Sequence, residues 1–201
     1  MRTVDPVKHA ARREEILAAA ERCFATNGFH GATIAQICAE ANISPGHLYH
    51  YFASKEAIVG AIAGAGLAYV RSRFDELSDE LTEDANAVAT VIAELERLRV
   101  QGRKTGSGVL LDVLAEASRN PAIGKTLQEH SQGMRRLLAD FLQDGQSRGE
   151  IDPALDADMA AAMLISIIDG SKAMAIRYPE LNAKKIATTV EMMITRFLSP
   201  P

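Results

Sequence analysis

Ser44-Pro45-Gly46-His47-Leu48-Tyr49-His50-Tyr51-Phe52 is the stretch on which the reading of this chain turns. Serine followed by proline is a helix start: the Ser44 hydroxyl accepts from an early backbone N–H, and Pro45 suits the first helical position. Leu48 and Phe52 lie four apart and point into a core, so His47, Tyr49 and His50 point elsewhere. A glycine second from the start of so short a helix costs roughly 1 kcal/mol of propensity. Close approach of another surface is a good reason to keep it. Imidazoles, an aromatic hydroxyl and a helix N-terminus suit phosphates and base edges.

The residues before this stretch supply the rest of a small domain. Thr33-Ile34-Ala35-Gln36 has the form of a capping box. Ile34, Ile37, Cys38 and Ala41 follow on one helical face, and Asn42 ends the helix in a positive-φ turn. Ile43 plugs that turn. Upstream, Ile16, Ala20, Cys23 and Phe24 mark a helix over 12–26 that stops at Asn27-Gly28. Two short helices joined by a tight turn, with a third before them, form a helix-turn-helix layout.

Outward from there the chain reads as helix after helix, without the alternating β-branched runs of strands. Helices are expected near 55–81, 82–101 (from a Thr82 cap), 109–118, 123–147, 155–177 and 182–198. Gly102 to Gly108 is expected to be a flexible break. The fold class is therefore all-α with about nine helices. A three-helix helix-turn-helix domain over 1–55 precedes a larger helical domain over 56–201. The 201 residues are enough to bury a core without staples.

Composition narrows the function. The net charge is −4, yet residues 1–55 hold six Lys/Arg against five acids and four of the five histidines. The acidic whole therefore permits an anionic partner for the first quarter. The polar N-terminus has no signal-peptide form, and the two cysteines fit a reducing cytosol, so a cytoplasmic location is expected. The longest uncharged run, Ala57 to Val70, has fourteen residues, short of the roughly 20 of a bilayer span. No membrane contact is expected.

Ile16, Ala20, Phe24, Gly28-Phe29, Thr33, Ile37-Cys38, Ala41-Asn42-Ile43-Ser44-Pro45-Gly46 and Leu48 through Glu56, at these spacings, resemble the DNA-binding domain of the TetR (tetracycline-repressor-like) family. One departure is Asn42, where the family usually has glycine; asparagine adopts the same turn. The resemblance implies a regulator of transcription, most often a repressor. It implies a homodimer on a palindromic double-stranded DNA operator, released by a small-molecule effector. Carried onto this sequence, Thr33, Ser44, Tyr49 and Lys55 hold phosphates, while Gly46, His47 and His50, next to Pro45, approach base edges. Lys8, Arg12 and Arg13 add contacts from an N-terminal arm.

The resemblance also assigns the last two helices to a dimer bundle, giving Met159, Ile167, Met174, Met192 and Met193 as interface. An effector cavity is expected around Val88, Ile92, Leu110, Val113, Leu114, Met134, Leu138 and Met163. Their apolar character suits a hydrophobic effector. Asp112 and Glu116 are expected on a solvated face. Cys23 and Cys38 fall on apolar faces and read as small buried hydrophobes, so no metal or cofactor is expected. In the larger domain no nucleophile elbow, phosphate loop, paired-histidine metal helix or Cys-His nucleophile occurs, so an enzyme is not expected. A helical recruitment module without an effector cavity is the other alternative.

Overall fold

The computed structural model describes residues 5–80, 86–104 and 107–201; the side chains of 77–80, 98–104, 107–110, 172 and 175 fall outside that description. The described residues form α1 (Pro6–Gly31), α2 (Ile34–Glu40), α3 (Pro45–Tyr51), α4 (Lys55–Glu80), α5 (Ala87–Lys104), α6 (Ser107–Ala117), α7 (Pro121–Ser147), α8 (Ala157–Arg177) and α9 (Ala183–Leu198). Among them there is no strand.

Local chemistry accounts for most of these ends. Thr33 and Gln36 make the full reciprocal box: Gln36 N–H donates to Thr33 Oγ1 at 3.2 Å and Thr33 N–H donates to Gln36 Oε1 at 2.8 Å. Asn42 takes φ 51° in the turn. His47 N–H donates to Ser44 Oγ at 3.2 Å, starting α3. Asn120, Asp156 and Asn182 cap α7, α8 and α9 in the same way.

Three expectations about helix ends need correction. α1 starts at Pro6, because Asp5 Oδ1 accepts from Val7 N–H at 3.1 Å, so Lys8, Arg12 and Arg13 sit on a helix rather than an extended arm. At its far end Gly28 makes the positive-φ break expected after Asn27 (φ 69°, ψ 173°), but helix resumes beyond it to Gly31 rather than stopping there. Gly102 does not stop α5, which reaches Lys104; a single glycine costs about 1 kcal/mol, which a packed helix absorbs. Thr82 lies outside the described residues. The described start of α5 is held by Asn86 Oδ1, which accepts from Val88 and Ala89 N–H, and by Glu150, which accepts from Ala87 N–H at 2.7 Å.

The packing divides the chain into two compact units, one of residues 1–66 with 105–129 and one of 67–104 with 130–201. The linear division at residue 55 does not follow these units, because α6 and the start of α7 pack with α1 through α3. In the first unit Ile16, Phe24, Phe29, Ile37, Leu48 and Phe52 form a core with Ile58 and Ile123. Cys23 and Cys38 are buried in it, and burial pushes both thiols above their ordinary value. In the second unit Val91, Leu142, Ile151, Leu164, Ile194 and Leu198 are among the fully buried residues. Phe74 and Phe141 meet there edge to face at 5.4 Å.

A Cβ at Gly60 would meet Thr126 of the same unit at an ordinary 3.7 Å, and one at Gly64 would meet nothing within 4 Å. Among the described residues no helix is long and apolar enough to cross a membrane.

Candidate nucleic-acid interface

α3 has only seven residues, too few to be stable alone. Its position is set by two buried pegs, Leu48 at 0% exposure and Phe52 at 4%. Those pegs turn Ser44, Pro45, Gly46, His47, Tyr49 and His50 outward, and all six are exposed. Tyr49 keeps 53% of its surface open. A Cβ at Gly46 would meet nothing within 4 Å, so no packing inside the chain calls for glycine there. From Ala41 through Lys55 there is no acidic residue. The surface is a short helix start carrying donors, imidazoles and a phenol, with no fixed negative charge.

Thr33 is exposed beside it, its hydroxyl engaged in the α2 cap. Lys55 is placed differently from a simple surface cation. Its Nζ donates to Phe29 O at 2.7 Å and Ala32 O at 3.1 Å, and lies 4.2 Å from the Phe29 ring centroid. Two of its three donors therefore tie the last turn of α1 to the start of α4, fixing the short link that leads to Thr33. Lys8 is fully out in solvent near Asp5, Arg12 pairs with Glu15, and Arg13 lies 5.3 Å over the Phe52 ring.

The sequence reading missed two residues. His9 packs on Tyr51, ring to ring at 4.5 Å and 28°. Once α1 is taken back to Pro6, His9 lies two turns before Ile16 on the same face, so the Asp5-Pro6 start signal was the available clue. Glu116 is 5% exposed, not on a solvated face. It accepts from His30 Nε2 and from Arg119 Nε (3.1 Å), joining α6 to the end of α1. Burial pushes its carboxyl up, but hydrogen bonds from Arg119, His30 and Asn120 outweigh it and hold the group below the ordinary glutamate value. Asp112, one turn earlier, stands where a Cβ on Gly28 would meet its Oδ2 at 2.5 Å.

The residues expected around an effector belong to both units. Val88 and Leu138 are buried in the second unit, with Ile92 and Met134 packed against that core. Val113 packs on the first unit's core instead, and Leu114 and Met163 are exposed. The Leu110 side chain lies outside the described residues. A pocket of about 160 Å³ lies among α5, α8 and α9, with Ile92, Leu95, Ile168 and Ile194 in its walls and Lys184 and Glu191 at its edge. Of the expected interface residues, Met159, Met192 and Met193 are exposed and Ile167 and Met174 are half-buried. Among the described residues no three His, Cys, Asp or Glu side chains converge as a metal site.

Residues 16–62 match the family described as bacterial regulatory proteins, tetR family, and residues 86–199 match the C-terminal region of BetI-type transcriptional repressors. The HTH-type transcriptional regulator UidR of Escherichia coli K12 is 30% identical over 158 residues, 79% of this chain and 78% of that protein. Among solved structures, Salmonella enterica GusR superposes with a TM-score of 0.73 at 29% identity, covering 94% of this chain and 95% of the other. The regulator FadR of Bacillus subtilis, solved with stearoyl-CoA, has the same fold (TM-score 0.72, 20% identity, 92% and 98% covered).

Proposed function

As the chain belongs to the TetR family of helix-turn-helix transcriptional regulators, we propose that it acts as a repressor, binding a palindromic operator as a homodimer and released by a small hydrophobic effector. The observation that carries the DNA reading is the outward face of α3, where Gly46, His47, Tyr49 and His50 are exposed on two buried pegs, in a stretch with no acid from Ala41 through Lys55. Ser44, Thr33 and Tyr49 take phosphates, which set register and most of the affinity, and His47 and His50 read base edges. Lys55 adds its remaining donor to a phosphate while holding the turn before Thr33.

The dimer reading is supported by the unit that carries α8 and α9. Met159, Met163, Met192, Met193 and Phe197 are all exposed there, and a Cβ at Gly170 would meet open space. An apolar helical face of this kind is normally covered by a second copy in a symmetric pair. Residues 1–55 serve DNA binding and 56–201 serve effector binding and dimerisation. The effector site is assigned to the side of the second unit around Val88, Ile92, Met134 and Leu138. A relative of the same fold that holds stearoyl-CoA supports a ligand of apolar character. The effector acts only through its unequal affinity for the two conformations, so DNA weakens effector binding by the same factor.

Selection of bound duplexes from a random DNA pool, at two salt concentrations, tests this. The expected result is a palindrome with half-sites about one helical turn apart. Binding at low salt only, with no enriched sequence, returns the recruitment-module reading.

A further inference from the structure

The rings around α3 form a cluster that extends beyond α3. Tyr51 is half-buried at its centre. His47 lies 5.4 Å away at 53° and His50 5.5 Å away at 89°, both from α3 itself. The third neighbour comes from α1: His9 stacks on Tyr51 at 4.5 Å and 28°, and meets His50 edge-on at 6.1 Å. Four residues further along α1, Arg13 lies over Phe52, so the same side of α1 touches the end of α3 twice.

A side chain in an exposed two-turn helix ordinarily samples several rotamers, and holding one costs entropy at the moment of binding. His9 removes part of that freedom in advance. It closes one face of Tyr51 and one side of His50, so two rings from α3 have a wall that α3 alone does not provide. Its placement follows from the Asp5 cap, which carries α1 far enough back to bring this ring level with Tyr51.

We propose that His9 is a positioning residue for DNA recognition: its ring, stacked on Tyr51 and edge-on to His50, sets the arrangement of His50 on the face of α3 that reads base edges. The proposal rests on the DNA-binding reading above. His9 acts through other side chains, so what matters is a flat ring at this position and not its nitrogen atoms.

The test compares His9→Ala, His9→Leu and His9→Phe in the full chain. The probes are the duplex that the wild-type protein enriches from the random pool and a random-sequence duplex of equal length. His9→Ala and His9→Leu are expected to bind the enriched duplex about three- to tenfold more weakly, the scale of one aromatic stack. Random DNA should weaken less, and repeat selection should show relaxed preference at one or two half-site positions. His9→Phe should restore wild-type affinity and preference.

Two results overturn the proposal: Ala or Leu variants with wild-type affinity and preference, or a Phe variant that falls as far as Ala. The second would make the imidazole itself a DNA contact. Leucine keeps bulk against Tyr51, so a fold lost only in the Ala variant leaves the Leu and Phe pair to decide. If the wild-type protein enriches no sequence, the DNA reading fails; if it does and the variants match it, only this inference fails.

Discussion

Gly46 and Lys55 show how much a single residue's surroundings say about its role. Gly46 occupies a helix position where alanine is intrinsically better, and nothing in the chain occupies the space a methyl would fill. Gly46→Ala is therefore expected to leave stability unchanged or raise it by up to about 1 kcal/mol, while weakening binding to the enriched duplex. Thermal melting and a titration check the two parts; unchanged DNA binding would remove Gly46 from the interface. Lys55 makes two charge-assisted bonds to backbone carbonyls from a half-buried position. Lys55→Ala should cost about 2 kcal/mol of stability and lower the salt slope of DNA binding by about one. A lower slope with unchanged melting would place its role on phosphate alone, and lost stability at an unchanged slope would confine it to the carbonyls.

Between elements, the joint of α1 and α6 is held by charged groups. α1 ends with the Gly28 kink and His30, and α6 brings Asp112 and Glu116 against it. The Glu116 carboxyl is held below its ordinary range in the folded chain. Its contribution is therefore fully present above the ordinary glutamate pKa and is lost as pH falls through the lowered folded value. Glu116→Gln should melt lower at neutral pH and lose less stability than wild type between pH 7 and 3. Parallel melting curves across that range would show that the carboxylate is not what holds α6 to α1. The start of α5 offers a second case: hydrogen bonding by Arg148 and the Ala87 N–H outweighs burial and holds Glu150 low as well.

At the scale of the whole molecule, the unanswered surface is the apolar face of α8 and α9. Met193 is 51% exposed and Met159 57%, on the unit whose core holds Leu142, Leu164, Ile194 and Leu198. In a symmetric pair each substitution appears twice across the interface. Met193→Glu should therefore weaken self-association on the order of 100-fold or more, since two carboxylates lose water together. The isolated chain should melt little changed. Sedimentation at several concentrations checks this; an unaltered association constant would move the dimer contact elsewhere.

Some features were legible from the residues alone because their causes are local. The Thr33–Gln36 box, the positive φ of Asn42 and the Ser44-Pro45 start depend on groups within four positions of one another, and the spacing of Leu48 and Phe52 states which side of α3 is outward. Helical content and the family followed from the same short-range patterns. What short-range patterns do not contain is which distant surfaces meet. Glu116 looks like a solvated glutamate until α6 is packed on His30, and Lys55 like a surface cation until the carbonyls of Phe29 and Ala32 come within reach. His9 belongs to a polar leader until α1 is extended and Tyr51 is brought beside it. The expected effector residues divide between two cores for the same reason: helical periodicity tells that a side chain is turned inward, but not into which core. Local hydrogen bonding and periodicity are written in the order of residues, whereas desolvation and long-range pairing arise only when residues far apart in that order share the same space.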